Sequence, residues 1–358
     1  MTKAKPRARD LGLPFRGTPG PLNAITDVAG VSVGFTTLTD PEIHLRTGVT
    51  AVRTRQDADH PRPVMAGHFS FNGNGEMTGT HWIDDAGYFG GPILITNTHA
   101  IGACHTGATR WMIDHYASHF AGHAWAMPVV AETYDGRLND INAMRVTPYH
   151  AIAAIATAAA GPVAEGNIGG GNGMVAYGFK AGTGTASRRI SIGQEYTLGA
   201  LVQANHGLRD WLTILGKPLA SLMPDVSPLP RETGSIIVIL ATDAPLSALS
   251  LKALAKRAAL GIGRTGTAGG NSSGDIFLAF STADIGPMPD SAGYLNQAAT
   301  LNPHHIDPLY LAAVEATDEA IVNALVAADP VPTFKPPGGM LPAIDTAALA
   351  ALFRQGDP

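Results

Sequence analysis

Two kinds of hydrophobic pattern alternate along the chain. Short runs rich in Val, Ile and other β-branched residues predict strands, because successive side chains of a strand point to opposite faces. Longer Ala-rich segments with apolar residues three or four positions apart predict helices. The predicted strands are 24–37 (a hairpin turned at Gly30), 50–54, 64–71, 93–96, 128–132, 174–180, 190–204, 235–242 and 275–282. The predicted helices are 101–121, 148–160, 246–261 and 308–328.

Strands that separate a smaller number of helices indicate a layered α/β fold. No repeat of fixed period and no charged linker divides the sequence, so residues 1–358 are predicted to form a single domain. The proline-rich segment after residue 329 is predicted to cross the surface before a last short helix.

Composition narrows the classes of function. The chain has 24 Lys and Arg against 29 Asp and Glu, a net charge of −5, which argues against nucleic acid or a membrane surface as partner. The 42 glycines and 26 prolines indicate many tight turns, and a single cysteine excludes an intramolecular disulfide. The sequence shows neither a long apolar span nor a hydrophobic leader, so a cytoplasmic location is predicted.

A change of pattern at residues 231–243, RETGSIIVILATD, carries the most chemistry. A polar, turn-prone run ends at Gly234, and a wholly apolar strand begins at Ser235. Glycine tolerates the strained backbone geometry in which the serine hydroxyl attacks the preceding carbonyl. Cleavage would leave Ser235 as a new N-terminus, whose α-amine, with an ordinary pKa of about 8, is a general base for its own hydroxyl. On the pattern alone, an ordinary loop before a buried strand is the favoured interpretation.

Six long motifs occur in order between about Leu11 and Ala283. They are GLPFRGTPGPLNAITDVAGVSVG, NGNGEMTGTHWIDDAG, AETYDGRLND, GNIGGGNGMVAYGFKAGTGTASR, RETGSIIVILATDAPL and RTGTAGGNSSGDIFLAFSTA. Together they resemble the DmpA-type aminopeptidase family, which includes L-aminopeptidase/D-amino-acid esterase-amidases and β-peptidyl aminopeptidases. The resemblance implies a self-processing serine hydrolase with an αββα sandwich, similar to N-terminal-nucleophile hydrolases but with different strand connectivity. It also implies an α chain 1–234, a β chain 235–358 and a homo-oligomer, with a tetramer of αβ units expected.

The resemblance assigns roles to particular residues of this sequence. Ser235 matches the nucleophile and first residue of the β chain, so the cleavage site is Gly234-Ser235. Asn205, in LVQANHG, matches the asparagine whose side-chain amide helps to form the oxyanion hole, a role that needs a fixed neutral donor. Tyr134, in AETYDG, matches a tyrosine whose hydroxyl lies at the catalytic centre.

Three further residues complete the site that the resemblance implies. Glu132 matches the carboxylate that binds the free ammonium of the substrate, and it lies on the same face as Tyr134 if this segment is a strand. Ser273 and Asp275, in NSSGDIF, match the serine and the carboxylate that hold the mature α-amine, although some relatives carry the longer Glu at the second position. The implied substrates are short peptides and amino-acid amides or esters of L-, D- or β-amino acids, and no metal or organic cofactor is needed.

Two alternative functions remain open at this point. Residues 270–274 fit G-x-S-x-G, which would make Ser272 the nucleophile of an α/β-hydrolase-like esterase that stays one uncut chain. A strand-like segment follows this motif where a helix is required, which disfavours it. The other alternative is a non-catalytic binding scaffold of the same fold, which has no need for the Gly-Ser junction together with Asn205 and Tyr134.

Other patterns are interpreted structurally. His115, His119 and His123 recur every four residues without an intervening Glu, which favours an exposed helix face over a zinc site. Cys104 is predicted to be a small buried residue. Glu76 is a weaker candidate for a second carboxylate that faces the substrate.

Two glycine-rich segments resemble phosphate-binding loops only superficially. Residues 261–266 fit G-x-G-x-x-G but follow a predicted helix instead of a strand, so a helix end and a turn are favoured. Residues 166–173 lack a following P-loop lysine and are interpreted as a tight loop.

Overall fold

Strands and helices alternate along the residues that the computed structural model describes, which are 5–56, 60–220, 234–284, 294 and 298–354. The strands are β1 (Ser32–Asp40), β2 (Leu45–Arg53), β3 (Val64–Ser70), β4 (Tyr88–Phe89), β5 (Ile93–Asn97), β6 (Val129–Thr133), β7 (Val175–Ala176), β8 (Phe179–Lys180), β9 (Thr183–Ile192), β10 (Gln194–Asn205), β11 (Thr213–Ile214), β12 (Lys217–Pro218), β13 (Ser235–Thr242), β14 (Gly274–Ser281), β15 (Val331–Pro332) and β16 (Met340–Leu341). The helices are α1 (Thr80–Ala86), α2 (Ile101–His115), α3 (Ala117–Phe120), α4 (Pro148–Ala156), α5 (Ala248–Ala255), α6 (Ala258–Arg264), α7 (Asp307–Val326) and α8 (Thr346–Arg354).

The longer strands form two sheets. One sheet has six strands in the order β4-β3-β14-β13-β10-β9, and the other has four in the order β1-β2-β5-β6. Within the larger sheet β13 and β14 are parallel and their other neighbours antiparallel. In the smaller sheet β5 and β6 are the parallel pair.

The two sheets pack face to face with helices outside them. One apolar cluster joins the inward side chains of both sheets, including Ile237 and Ile239 of β13. A second cluster packs α5 and α7 on the outer face of the larger sheet, and a third packs α2 and α4 on the outer face of the smaller one. This arrangement is the αββα sandwich that was predicted.

Strand β13 lies at the centre of the larger sheet and is buried on both faces. Its side chains alternate between the two clusters, Ile236, Val238 and Leu240 facing the helices and Ile237 and Ile239 facing the second sheet. A strand covered on both faces favours a continuous apolar sequence, which explains why residues 235–242 contain no internal alternation. Its bounds match the prediction.

Several predicted elements differ in detail because turns were not identified. The hairpin predicted at 24–37 is wrong, since residues Ile25–Asp27 form a short 3-10 helix and β1 pairs instead with β2. The strand predicted at 190–204 is interrupted at Gly193, whose φ of 72° makes the turn between β9 and β10. The segment 174–180 turns at Tyr177 and Gly178, so it forms β7 and β8.

Two predicted helices are each divided. Residues 101–121 form α2 and α3 with a break at Tyr116, where the backbone leaves the helical region. Residues 246–261 form α5 and α6, and the second continues to Arg264. The helix predicted at 308–328 corresponds to α7, and the last short helix to α8.

Candidate active site

Ser235 is the first residue of β13 and lies between two strand ends. Its Cα partner is Asn205, the last residue of β10, on one side and Gly274, the first residue of β14, on the other. Its side chain is 5% exposed. Because it has the same parity as Ile237 and Ile239, strand alternation directs its hydroxyl into the space between the two sheets. The sequence-predicted nucleophile therefore lies at one end of the sandwich interior.

The side chain of Asn205 is held in one orientation by two hydrogen bonds. Its Oδ1 accepts from the backbone N–H of Val175 at 2.8 Å, and its Nδ2 donates to the carbonyl of Tyr134 at 3.0 Å. One partner is a donor and the other an acceptor, so the amide can take only this orientation. The second N–H of the amide is a neutral donor of fixed orientation on the residue that pairs with Ser235, and oxyanion stabilisation needs a donor of this kind.

Tyr134 follows β6, which ends at Thr133. Its ring lies over Gly136, where an added Cβ would stand 2.3 Å from the Tyr134 hydroxyl oxygen. The ring is 43% exposed, whereas Glu132 is 3% exposed. Because β6 ends at Thr133, Tyr134 lies outside the strand, and the condition under which it would share a strand face with Glu132 is not met.

Glu132 is buried near the end of β6 and accepts hydrogen bonds on both carboxylate oxygens. The backbone N–H of Glu76 donates to Oε1 at 3.1 Å, and the Thr98 hydroxyl donates to Oε2. Burial raises the pKa of Glu132, and the two donors oppose that rise. A Cβ added to Gly75 would lie 3.1 Å from Oε1 and 3.4 Å from the Cα of Gly274, which places this carboxylate at the same end of the sandwich as Ser235.

Ser273 and Asp275 form a hydrogen-bonded pair at the start of β14. The Ser273 hydroxyl donates to Asp275 Oδ1 at 2.5 Å, and the side-chain amide of Asn72 donates to Oδ2 at 3.1 Å. Asp275 has the same parity as Phe277, which packs against the helices. Alternation therefore puts this pair on the helix-side face of the sheet, and the Ser235 hydroxyl on the opposite face.

The backbone is crowded at both strand starts. A Cβ at Gly234 would lie 1.8 Å from the carbonyl oxygen of Asn205 and 2.9 Å from the Cα of His206. A Cβ at Gly274 would lie 2.3 Å from the carbonyl oxygen of Asn74. Glycine at these two positions is required by close backbone contact, a reason that the sequence did not reveal.

Asp135 is buried directly behind the candidate site. Asn139 donates to its Oδ1 at 3.1 Å, while Oδ2 has no hydrogen-bond partner of good geometry. Burial raises the pKa of Asp135 to about 7, and the hydroxyl of Thr47 and the amides of Asn139 and Asn97 oppose that rise. A Cβ at Gly173 would meet the Asp135 Cβ at 2.7 Å, so the glycine run packs against this residue.

Sequence reasoning missed three residues that support the site. Asn72 binds Asp275, Asn74 donates to the carbonyl of Ser272 at 2.7 Å, and the fully buried Asp135 directly follows Tyr134. The alternation of Asn and Gly in NGNG was a signal for the first two, because glycines permit close backbone approach and asparagines supply amide donors. Pattern alone gave no signal for Asp135, whose environment is set by tertiary packing.

The disfavoured motifs have structural roles in this part of the chain. Ser272 is exposed, and strand β14 begins two residues later where a nucleophile elbow would need a helix. The dinucleotide-like run 261–266 begins inside α6, as the helix interpretation requires. The run 166–173 was interpreted as a tight loop, but residues Gly169–Gly173 within it form a short 3-10 helix that packs against β2. Cys104 is fully buried, and burial raises the pKa of its thiol to about 12.

The described residues contain no cluster of three or more His, Cys, Asp or Glu that could hold a metal ion. His115 lies in α2 and stacks on Trp111, whereas His123 lies in a loop and contacts Trp125. The histidine series therefore does not form one continuous helix face. Among the helices that the structure describes, none is long and apolar enough to span a membrane.

The fold and the site together define a class of enzyme. A serine opens a central strand of an αββα sandwich, with a fixed amide donor on one side and the hydroxyl–carboxylate pair of Ser273 and Asp275 on the other. This is the arrangement of hydrolases with the N-terminal-nucleophile type of fold.

Comparison with known proteins agrees with this class. The model of peptidase family S58 matches residues 23–336. Beta-peptidyl aminopeptidase BapA of Sphingosinicella microcystinivorans is 50% identical over 346 residues, which cover 90% of this chain and 86% of the relative. The chain therefore belongs to peptidase family S58 and is a serine aminopeptidase.

Solved structures show the same relationship. The L-aminopeptidase D-Ala-esterase/amidase from Ochrobactrum anthropi, described as a prototype for the serine aminopeptidases with a variant of the Ntn hydrolase fold, is 54% identical with a TM-score of 0.93. The match covers 98% of this chain and 99% of that one. A Burkholderia sp. beta-aminopeptidase is 42% identical with a TM-score of 0.90, over 99% of this chain and 100% of that one.

Proposed function

We propose that the protein cleaves itself between Gly234 and Ser235 and then acts as an aminopeptidase with Ser235 as nucleophile. The observation that carries the proposal is the position of Ser235, which opens a buried strand beside the fixed amide of Asn205. Cleavage there would produce an α chain 1–234 and a β chain 235–358.

Self-cleavage is an acyl shift followed by hydrolysis. The Ser235 hydroxyl attacks the carbonyl carbon of Gly234, the C–N bond breaks, and the nitrogen takes up a proton to become the α-amine of Ser235. Water then hydrolyses the ester, which leaves a carboxylate on Gly234 and restores the hydroxyl. The same hydroxyl and the new amine then serve as nucleophile and general base.

Turnover repeats this chemistry on a substrate. The Ser235 hydroxyl attacks the carbonyl of the N-terminal residue and its α-amine takes the proton, while Asn205 and the Tyr134 hydroxyl stabilise the oxyanion. The leaving amine departs with a proton, and water hydrolyses the acyl-enzyme. Glu132 pairs with the ammonium of the substrate, and a substrate without that group would leave a buried carboxylate unpaired.

The proposed substrates are short peptides and amino-acid amides or esters. Two relatives at 50% and 54% identity are named for β-peptides and for L-amino-acid and D-Ala substrates respectively, so we propose activity in one or both of these groups. Matched amides of L-alanine, D-alanine and β-alanine measure the preference directly, because they differ only in configuration or in one methylene.

Intact mass under denaturing conditions tests the proposal. Scaling 37.0 kDa by chain length predicts pieces of about 24 and 13 kDa for the matured wild type and one uncut chain for Ser235→Ala. A matched Ser272→Ala variant should mature and turn over like the wild type. A wild type that stays at 37.0 kDa after prolonged incubation would contradict self-cleavage.

We also propose that the protein is a homo-oligomer, with a tetramer of αβ units expected. Leu260 of α6 and Leu311 of α7 are exposed and line one groove, which is apolar surface that a second copy would cover. Light scattering coupled to size exclusion gives the mass. A mass equal to one chain at micromolar concentration would contradict this part of the proposal.

A further inference from the structure

The segment between β3 and α1 crosses directly over the start of β14. The backbone N–H groups of Phe71 and Asn72 both donate to the carbonyl of Asp275, at 2.9 and 3.4 Å. Farther along, the amide of Asn74 reaches the carbonyl of Ser272, and Gly75 approaches both Gly274 and the Glu132 carboxylate. This segment, 71–76, therefore connects the two carboxylates of the candidate site.

Within this segment Asn72 contacts a group that the proposed mechanism uses. Its Nδ2 donates to Asp275 Oδ2 at 3.1 Å and to the carbonyl of Gly270 at 3.3 Å. Both neighbours are acceptors, and only the NH2 end of an amide carries two donors, so the orientation of the side chain is fixed.

The Asp275 carboxylate is consequently held at both oxygens. The Ser273 hydroxyl binds Oδ1, and the Asn72 amide binds Oδ2. One donor alone leaves a carboxylate free to turn about the Cβ–Cγ bond, whereas donors on both oxygens fix its plane. The Cα partner of Asp275 is Ile236, one residue inside the end that cleavage would create.

We propose that Asn72 is a positioning residue of the mature enzyme, which with Ser273 fixes the plane of the Asp275 carboxylate so that it supports the α-amine of Ser235. This inference rests on the proposed function, because that amine exists only after cleavage at Gly234-Ser235. Asn72 acts through Asp275 and does not touch the substrate carbonyl.

The mechanism gives a signature that a purely structural role would not produce. The α-amine is active as a base only when it is unprotonated, so the acid side of the pH–kcat profile follows its pKa. A well-placed carboxylate stabilises the ammonium form and raises that pKa, and a carboxylate that has turned away raises it less. Loss of the Asn72 amide should therefore move the acid side of the profile to lower pH.

The pH profile also depends on other titratable groups on the elements around Ser235, so these residues must be the same in all the variants that are compared. They are Glu132, Tyr134 and Asp135 on the β6 side, Glu76 on the segment 71–76, and His206 after β10. Burial lowers the pKa of His206 to about 3, so this residue is neutral in the working range, whereas burial raises the pKa of Asp135 to about 7, within that range. None of the five is changed in the variants below, so their contribution is common to all profiles and a difference between profiles then reports on the Asp275 pair.

The first test compares Asn72→Ala with Asn74→Ala, each measured after maturation has been verified by intact mass. Both remove one asparagine amide that binds a carbonyl or carboxylate of the same neighbouring loop, but only the first touches Asp275. We expect Asn72→Ala to lower kcat about tenfold with little change in KM, and to shift the acid side of the profile by about half a pH unit. Equal effects of the two variants on kcat and on the profile would overturn the inference.

A double-mutant cycle provides the second test. If Asn72 acts through Asp275, the variant Asn72→Ala/Asp275→Asn should be no slower than Asp275→Asn alone, in self-cleavage as well as in turnover. Losses that multiply would show that Asn72 acts independently, which would overturn the inference. Because self-cleavage is itself a measurable rate, the cycle gives a result even if a variant matures slowly.

A swapped pair covers the case in which Asn72→Ala does not fold. Asn72→Asp/Asp275→Asn keeps an amide-carboxylate hydrogen bond, but it moves the charge to residue 72 and loses the hydrogen bond to the carbonyl of Gly270. It should fold, as shown by a cooperative melt, and remain as slow as Asp275→Asn, whereas restored activity would overturn the inference. If the wild type is never cleaved, the proposed function fails; if it matures normally but Asn72→Ala behaves like Asn74→Ala, only this inference fails.

Discussion

The two strands beside Ser235 supply opposite kinds of chemistry. Strand β10 ends in Asn205, a neutral amide whose orientation is fixed by a backbone N–H and a backbone carbonyl. The second residue of strand β14 is Asp275, a carboxylate held by a hydroxyl and an amide. Alternation places Asn205 on the face toward the second sheet and Asp275 on the face toward the helices.

This difference corresponds to two charges of opposite sign. In the proposed cycle a negative oxyanion forms near the Ser235 hydroxyl, and a positive ammonium forms at its α-amine. The fixed amide donor of Asn205 stabilises the oxyanion, and the fixed carboxylate of Asp275 stabilises the ammonium. The Asn205 and Asp275 side chains lie on opposite faces of the sheet. One residue at a strand end can thus have a hydroxyl and an amine in two different electrostatic environments.

The largest effect is expected when the hydrogen-bond donor at Asn205 of β10 is replaced with an acceptor. Asn205→Asp keeps the size of the side chain but replaces the amide donor with a carboxylate oxygen, which can only accept. When ionised, this carboxylate also puts a negative charge where the oxyanion forms. We expect kcat to fall about 1000-fold, at the upper end of the range for loss of one oxyanion donor. Steady-state kinetics on an amide substrate measures it, and a loss below tenfold would show that Asn205 does not contact the oxyanion.

The next effect concerns the β14 side. Asp275→Asn retains a polar group of equal size but removes the charge that supports the ammonium. We expect kcat to fall about 100-fold and the acid side of the pH profile to move to lower pH. A profile that keeps its shape while kcat falls would assign Asp275 a purely structural role.

Asp135 follows Tyr134, whose carbonyl accepts the hydrogen bond from Asn205 of β10. This buried residue should affect stability more than catalysis. Its folded-state pKa of about 7 lies above the ordinary value of about 3.9, so folded protein binds more protons, and stability falls as pH rises from about 4 to about 7. Asp135→Asn keeps an acceptor for Asn139 and removes the buried charge. We expect the free energy of unfolding to rise by up to about 4 kcal/mol at pH 8, which corresponds to about three pKa units, and little at pH 4. Denaturant titration at both pH values measures it, and an equal gain at both would contradict the assignment.

The smallest effect is expected at Glu132, whose carboxylate lies on β6 of the smaller sheet. Glu132→Gln keeps an acceptor for the backbone N–H of Glu76 and turns the contact with the Thr98 hydroxyl into one in which the amide donates, but it loses the ion pair with the ammonium of the substrate. We expect KM to rise about tenfold with a smaller change in kcat, because this contact is made in the ground state as well as in the transition state. Glu76→Gln, which changes an exposed neighbouring carboxylate, is the control. Equal changes of KM in both variants would remove the special role of Glu132.

The central strands could be predicted because their sequence signals are local. Residues 235–242 form a continuous apolar run, and burial on both faces is the condition that favours such a run. The β9–β10 hairpin was missed because Gly193 lies inside an otherwise strand-like segment, and a single glycine also occurs within strands. At Gly30 the error was the opposite one, because a glycine was interpreted as the turn between two paired strands. Its positive φ instead belongs to a turn that precedes β1.

The sequence by itself determined the catalytic candidates, because a Gly-Ser junction before an apolar strand and the long family motifs are features of consecutive residues. It also determined the layered α/β class through the alternation of two hydrophobic periods. Only the tertiary structure decided which candidates meet and on which face, since strand order, register and loop crossings depend on residues far apart in the chain. The amide of Asn72 reaches Asp275 across 203 positions of sequence, and no local pattern encodes a contact of that range.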